Sequence, residues 1–306
     1  MRKPSILTLA AVVIVFCQGA FAAWTAPVPV SEINTMYHSE GAPFLSYDGL
    51  TLYFSRQLGT NHIFSATRSV PYGPFTSEQV LDNLSLPANY SWVSPDNLRL
   101  YYYSSYRSRH IKMSERASVN DPWLAGTDVS ELNALGDVAN PSLSPDELTI
   151  VFTGTSVPGG LGGYDIWMGT RSDRYSPFGN FRNLSEINST DWDFHPRLSY
   201  DGLTLYFASR RDAGGDLYEA TRPGLDSPFG SPERISDFDS LGGMLEYPSI
   251  SADGNALYFA RLTGSWYDIY VSYADQPTTV IPTPSALFLG SIGVGVVSWL
   301  RRRNKL

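Results

Sequence analysis

The chain has a single cysteine, Cys17, in 306 residues. Cys17 falls inside an apolar run near the N-terminus, where a removable leader is expected, so the processed protein would hold no disulfide and use no thiol chemistry. Phe16 precedes it where lipid attachment calls for a small residue. Basic residues are also scarce, 22 Lys and Arg against 30 Asp and Glu, and six of them (Arg2, Lys3, Arg301, Arg302, Arg303 and Lys305) lie at the two ends. The body from about 23 to 284 therefore has 16 basic and 30 acidic residues, a formal charge of -14. That excludes nucleic acid as a partner, because phosphate neutralisation needs clustered positive charge. Nucleophile elbows, phosphate loops and zinc-helix motifs are missing as well. The glycine-rich stretch 159–163 leads into a strand pattern rather than a helix, and reads as an inter-strand loop. No cofactor and no metal are expected.

Repetition is what the chain has in quantity. LSYDGLTLYF occurs letter for letter at 45–54 and at 198–207. Looser copies place Asp48, Asp96, Asp146, Asp201 and Asp253 at spacings of 48, 50, 55 and 52 residues. Each aspartate sits in a Ser-x-Asp-x turn, which glycine and self-bonding aspartate favour, and is expected to be structural. An apolar, aromatic run follows each turn and reads as a buried strand: Leu52-Tyr53-Phe54, Leu100-Tyr101-Tyr102, Ile150-Val151-Phe152, Leu205-Tyr206-Phe207 and Leu257-Tyr258-Phe259. A third element is Tyr164-Asp165-Ile166-Trp167 and its counterparts at 215–218 and 267–270, with His62 and His110 in place of the aspartate in the first two units. Asp165, Asp216 and Asp268 are also expected to be structural, and Arg56, Arg107, Arg210 and Arg261 to pair with the repeated acids. A fourth element, VSEIN at 30–34, recurs at 81–85, 129–133, 184–188 and 235–239 and is expected to be the outer strand.

Four strands about every 50 residues predict propeller blades. The fifth unit ends near Tyr273 without an outer strand, while the copy at 30–34 has no unit before it. The prediction is an all-β, five-bladed β-propeller of four-stranded blades, closed by the N-terminal strand completing the last blade; closure also removes the open edge. Residues 1–22 read as a signal peptide, with Arg2-Lys3, an apolar middle and an Ala20-Phe21-Ala22 cleavage site. The propeller takes 23–275, a Pro/Thr linker 276–284, and an apolar segment with an arginine cluster 285–306. Its apolar core, 286–300, is short for a membrane span of about 20 residues unless linker residues join it.

The turn, the aromatic strand and Gly162-Gly163-Tyr164-Asp165-Ile166-Trp167 together resemble the TolB-type WD-like propeller repeat. The resemblance covers about 24–275 and implies the fold, not one function. Blade two departs most, with Asn97 for glycine and His110 for aspartate. The tail resembles a PEP-CTERM sorting signal: Pro282-Thr283-Pro284, an apolar segment, then Arg301-Arg302-Arg303, with Thr283 where the family has glutamate. That resemblance implies an exosortase-type transpeptidase as a partner, transient anchoring in the membrane, and a destination at the cell surface or in the extracellular matrix.

Propellers bind ligands where loops converge on the channel mouth. The residues before each first strand are candidates for that rim: Glu40, Asp137, Asp193 with His195, and Glu246, together with Trp192 in the dense 191–195 cluster. Such carboxylates serve a cation or sugar hydroxyls, or simply solvate a rim. The exposed aromatics Trp92, Trp192 and Trp266 could stack on sugars or pack between blades. The loops 105–109, 157–164 and 191–195 are expected to set specificity. The leading expectation is a non-catalytic secreted or surface propeller that binds polysaccharide or an envelope protein. The alternatives are a glycan-cleaving enzyme using mouth carboxylates, and a structural matrix component without a defined ligand.

Overall fold

The computed structural model describes residues 23–105, 109–212 and 214–275. The expected leader, the linker and the tail with Pro282, Thr283, Pro284, Arg301, Arg302 and Arg303 lie outside the described residues, as does Arg107. Among the described residues no helix is long and apolar enough to cross a membrane.

After the short strand β1 (Val28–Pro29), blade one is β2 (Glu40–Leu45), β3 (Thr51–Leu58), β4 (Thr60–Thr67) and β5 (Thr76–Val80). Blade two is β6 (Ala88–Val93), β7 (Arg99–Ser104), β8 (His110–Glu115) and β9 (Thr127–Asp128). Blade three is β10 (Asp137–Leu143), β11 (Thr149–Thr155), β12 (Asp165–Thr170) and β13 (Gly179–Asn183). Blade four is β14 (Asp193–Leu198), β15 (Thr204–Ser209), β16 (Asp216–Thr221) and β17 (Glu233–Arg234). Blade five is β18 (Met244–Ile250), β19 (Ala256–Thr263) and β20 (Trp266–Tyr273), and β1 adds to β20 as its fourth strand, pairing Val28 with Val271 and Pro29 with Tyr270. The ring is a five-bladed propeller closed by the N-terminal strand. Its seam is fastened further by Thr25 N–H on Tyr273 O at 2.8 Å and by Trp24 N–H on the Asp237 carboxylate at 3.0 Å.

The second strand of each blade is covered on both faces, which is why its sequence runs apolar without alternating. Leu52, Leu100, Ile150, Leu205 and Leu257 are all buried, and so are Phe54, Tyr102, Phe152, Phe207 and Phe259. Each such side chain contributes about 2 kcal/mol of apolar burial, and together they form clusters that bridge neighbouring blades. The Ser-x-Asp turns are built alike in all five blades. In blade one Asp48 Oδ1 accepts from Ser46 Oγ at 2.5 Å and Leu50 N–H at 2.9 Å, while Ser46 Oγ accepts Thr51 N–H at 2.8 Å.

One element differs from expectation. The VSEIN segments are not strands; the fourth strands end just before them. Their first residue makes the last ladder bond, as Val129 N–H does on Ile111 O at 3.0 Å. The chain then turns: helix α1 (Ser130–Asn133) in blade two, a 3-10 turn (Ser236–Leu241) in blade four. The residue three places on is driven into the core in every copy: Ile33, Leu84, Leu132, Ile187 and Phe238. An asparagine closes three of them by pairing with the backbone of the third strand. Asn188 Oδ1 accepts Ile166 N–H at 2.8 Å, and Asn188 Nδ2 donates to Ile166 O at 2.9 Å. A side-chain amide thus stands in for a peptide group, and apolar positions spaced by three satisfy a turn rather than a strand.

Candidate ligand-binding site at the channel mouth

The innermost strand of every blade carries the same irregularity. A register shift follows Gly41, Asn89, Ala139, Phe194 and Glu246 in the five blades. The next residue in each, Ala42, Tyr90, Asn140, His195 or Tyr247, has φ between 49° and 59°. Five non-glycine residues in the left-handed region form a ring of bulges around the axis, a strained arrangement that re-aims side chains. Proline follows in four of the five blades, at Pro43, Pro141, Pro196 and Pro248. A proline inside a strand marks a bulge, and this is the signal in the sequence by which the ring could have been found.

The ring residues are not equivalent. His195 stacks on Tyr247 with ring centres 3.8 Å apart, Tyr90 lies 5.9 Å from His195, and the Tyr90 hydroxyl donates to Pro196 O across the axis at 2.6 Å. Beneath them Arg197 is buried between the Phe44 and Tyr90 rings, 4.8 and 4.9 Å from their centres, and donates to Ser91 O at 3.2 Å. This aromatic plug makes the floor of a cavity of about 190 Å³ at the mouth. Its walls include the ends of all three loops expected to set specificity: Arg109, then Tyr164, then Trp192, Phe194 and His195.

The cations in that wall are held on aromatic faces. Arg109 lies 4.9 Å from the Tyr164 ring centre and donates to its hydroxyl at 2.6 Å. Arg210 lies 4.2 Å from the Trp192 ring centre, and the Tyr164 and Trp192 rings meet edge to face at 4.7 Å. The series Arg109, Tyr164, Trp192, Arg210 is a rigid cation–π ladder. Gly163 backs it, since a Cβ there would come within 2.5 Å of the Trp192 indole nitrogen. Trp192 remains 40% exposed, whereas Trp92 is buried in the core and Trp266 lies outside the cavity lining.

The four expected rim carboxylates are not brought together. Glu40 is fully buried beneath the rim, accepting from Arg56 Nε at 2.7 Å and Thr35 Oγ1 at 2.8 Å. Asp193 is fully buried as well, held by Arg211 at 2.6 Å and by Ser189. Asp137 opens β10 opposite Thr155 and does not line the cavity. Glu246 does line it, bonded to the Tyr267 hydroxyl at 2.8 Å and 3.5 Å from Arg210. Burial pushes the Glu246 carboxyl above its usual range, against the pull of Tyr267 and Arg210. Burial, with Arg210 and Arg109 nearby, holds His195 well below its ordinary value, so its imidazole is neutral. The wall therefore carries two guanidinium charges against one carboxylate, in a body of opposite sign. The repeated arginines take different partners from those expected: Arg56 meets Glu40 and Glu78, Arg210 meets Glu246, and Arg261 bonds the carbonyls of Gly242 and Leu241.

Larger clefts of about 370 and 430 Å³ lie at the seams of blades two and three and of blades one and two, with one of about 150 Å³ at the seam of five and one. Each sets an arginine that follows a third strand against a second-strand tyrosine of the preceding blade: Arg171 with Tyr101, Arg116 with Tyr53, Arg68 with Tyr258. Those arginines also hook a turn carbonyl, as Arg68 does Gly49 O at 2.7 Å, and stack on the aromatic leading into the fourth strand. A cleft repeated at three seams belongs to the architecture, and the mouth cavity is unlike these three among the described residues.

No protein-family model matches the chain, and no curated protein matches it. Solved structures do match in fold. A protein of Agrobacterium tumefaciens assigned as TolB is 15% identical, with 85% of this chain and 93% of that one covered at a TM-score of 0.50. The α-L-arabinofuranosidase of Podospora anserina, solved with cellotriose, is 12% identical, with 84% and 98% covered at 0.57. An endo-arabinase of Bacteroides thetaiotaomicron is 11% identical, with 84% and 98% covered at 0.56. The chain shares the propeller fold with both kinds of protein.

Proposed function

We propose that the chain is an exported, non-catalytic propeller that binds an extracellular ligand, a polysaccharide or an envelope protein, in the mouth cavity. The carrying observation is the lining: a preformed aromatic and arginine wall with one carboxylate, Glu246. Glycoside cleavage in its usual form needs two carboxyl groups roughly 5–9 Å apart. Glu40 and Asp193, the nearest candidates by sequence, are committed to ion pairs with Arg56 and Arg211 instead. In this reading residues 1–22 direct export, and the tail holds the protein at the membrane until an exosortase-type enzyme removes it.

A second reading, glycan cleavage, is favoured by the fold shared with the arabinofuranosidase and the endo-arabinase. One experiment separates the two. The protein from 23 to 284, which spans every strand of the ring, is run against a polysaccharide panel with retention and release of reducing ends scored together. Retention without release, lost on Trp192→Ala, is the expected result. Release of reducing ends overturns the non-catalytic reading. Neither signal leaves an envelope protein or a purely structural matrix role, which pull-down from envelope extract tells apart.

A further inference from the structure

The polar groups of the mouth cavity are mismatched in kind. Asn140 Nδ2, His195 Nδ1 and Arg210 Nε have no hydrogen-bond partner among the described residues. Asn140 is 4% exposed and His195 7%, so water reaches neither freely, and each lines the cavity. Leaving a buried polar group unpaired forfeits its hydration without return, so such groups need an explanation. Tyr103 at the same wall accepts from Asn89 Nδ2 at 3.1 Å, which leaves its own proton to give. Arg109 spends one nitrogen on Tyr164 and has further N–H groups. His195, being neutral, presents Nδ1 as donor or acceptor according to its tautomer; against the remaining donors stands Glu246, 3.8 Å from that nitrogen and already engaged by Tyr267 and Arg210.

A site with surplus donors and two fixed guanidinium groups calls for a group that only accepts. A neutral sugar hydroxyl both donates and accepts, and would leave part of the surplus unused. A carboxylate accepts at both oxygens and pairs with guanidinium in charge-assisted bonds, the stronger class. The cavity of about 190 Å³ admits one ring-sized unit, and the Tyr164, Trp192 and Tyr267 rings offer it flat apolar walls. Building on the proposed binding role, we propose that the mouth cavity is a subsite for a uronic-acid unit of an acidic polysaccharide, its carboxylate taken by Arg109, Arg210 and Asn140. The negative body of the protein makes this a local exception: long-range charge repels a polyanion, and the subsite alone holds it.

The test is affinity electrophoresis and calorimetry with alginate and polygalacturonate, each compared with its carboxyl-reduced form. The expected result is retention by at least one polyuronate, weakened at least tenfold by carboxyl reduction and by Arg210→Gln or Arg109→Gln in folded protein. Carboxyl reduction probes the same contact without touching the fold. Equal binding of the parent and reduced glycans overturns the uronate assignment while leaving a glycan-binding mouth. Tighter binding of poly-glutamate than of either polyuronate overturns it in favour of an acidic protein partner. Retention of no glycan, acidic or neutral, overturns this inference and the polysaccharide branch of the proposed function together.

Discussion

Glu147 of blade three clasps Arg99 of blade two, its Oε1 2.5 Å from Nη2 and both carboxylate oxygens 2.9 Å from Nε. Glu147 occupies the turn position that is glycine in blades one, four and five, and holds φ at 63°. A left-handed residue with a side chain costs about 1–2 kcal/mol, and here the buried bond across the seam offsets it. Glu147→Gly relaxes the backbone but strips Arg99, and also Arg171 at 3.4 Å. We expect a net loss of about 1–3 kcal/mol in urea unfolding. An unchanged midpoint would show that the clasp contributes nothing beyond the strain it carries.

Glu219 makes stability depend on pH. It is buried on β16 opposite Tyr206, at a position that is Met113 in blade two and Met168 in blade three. Burial, then Glu233 and Asp237, push its carboxyl up to about 8, against the bond to Tyr206. The unfolded chain releases this proton near 4.5 and the folded chain keeps it to about 8, so stability falls as pH rises between those values and levels off above. Subtracting the Glu219→Met profile from the wild-type one should isolate that slope. The variant should be more stable at pH 8.5 by on the order of 2–4 kcal/mol. Parallel profiles would mean that the carboxyl ionises normally in the fold.

Asn188 substitutes for a missing peptide group. Asn188→Ala leaves Ile166 N–H without its partner and Ile166 C=O with only the Leu184 N–H, and should destabilise by about 1–3 kcal/mol. Asn188→Asp keeps the acceptor but sets a carboxylate oxygen against Ile166 O and Asn183 Oδ1, so it should fall between wild type and the alanine variant only at low pH, where the carboxyl is protonated. Equal effects of the two variants in thermal unfolding at low pH would show that the bond to Ile166 N–H contributes nothing.

Closure of the ring rests on Trp24 and the strand after it. Trp24 is 5% exposed against the last blade, and Trp24→Ala should cost about 3–5 kcal/mol. The loss should be local first: hydrogen exchange in β20 should speed up before that in β11. Uniform acceleration across all five blades would show that the ring opens only as a whole.

The five turns, the aromatic second strands and the closing strand were legible in the chain because each blade must solve the same problem in the same way. Repetition reports what is structural. It also misled once: VSEIN repeats like a strand, but its apolar positions are three apart and Asn133 and Asn188 point back at the sheet edge, which only the fold displays. The mouth was hidden for the opposite reason. Asn140 and Tyr247 fill a bulge position whose residue differs between blades, Arg210 belongs to a repeated series whose members take different partners, and with Arg109 they stand far apart in sequence and converge because three loops and three inner bulges end at one rim. Glu40 and Asp193 looked like rim acids from their place before a first strand. Both lie buried instead, each paired with an arginine, Glu40 with Arg56 and Asp193 with Arg211, and each held by a neighbouring hydroxyl as well. The blade, its count and its closure were thus written in the sequence by local periodicity and turn chemistry. Which polar groups face the mouth was decided by the tertiary structure, where strand register and side-chain pairing across blades determine what is left unpaired.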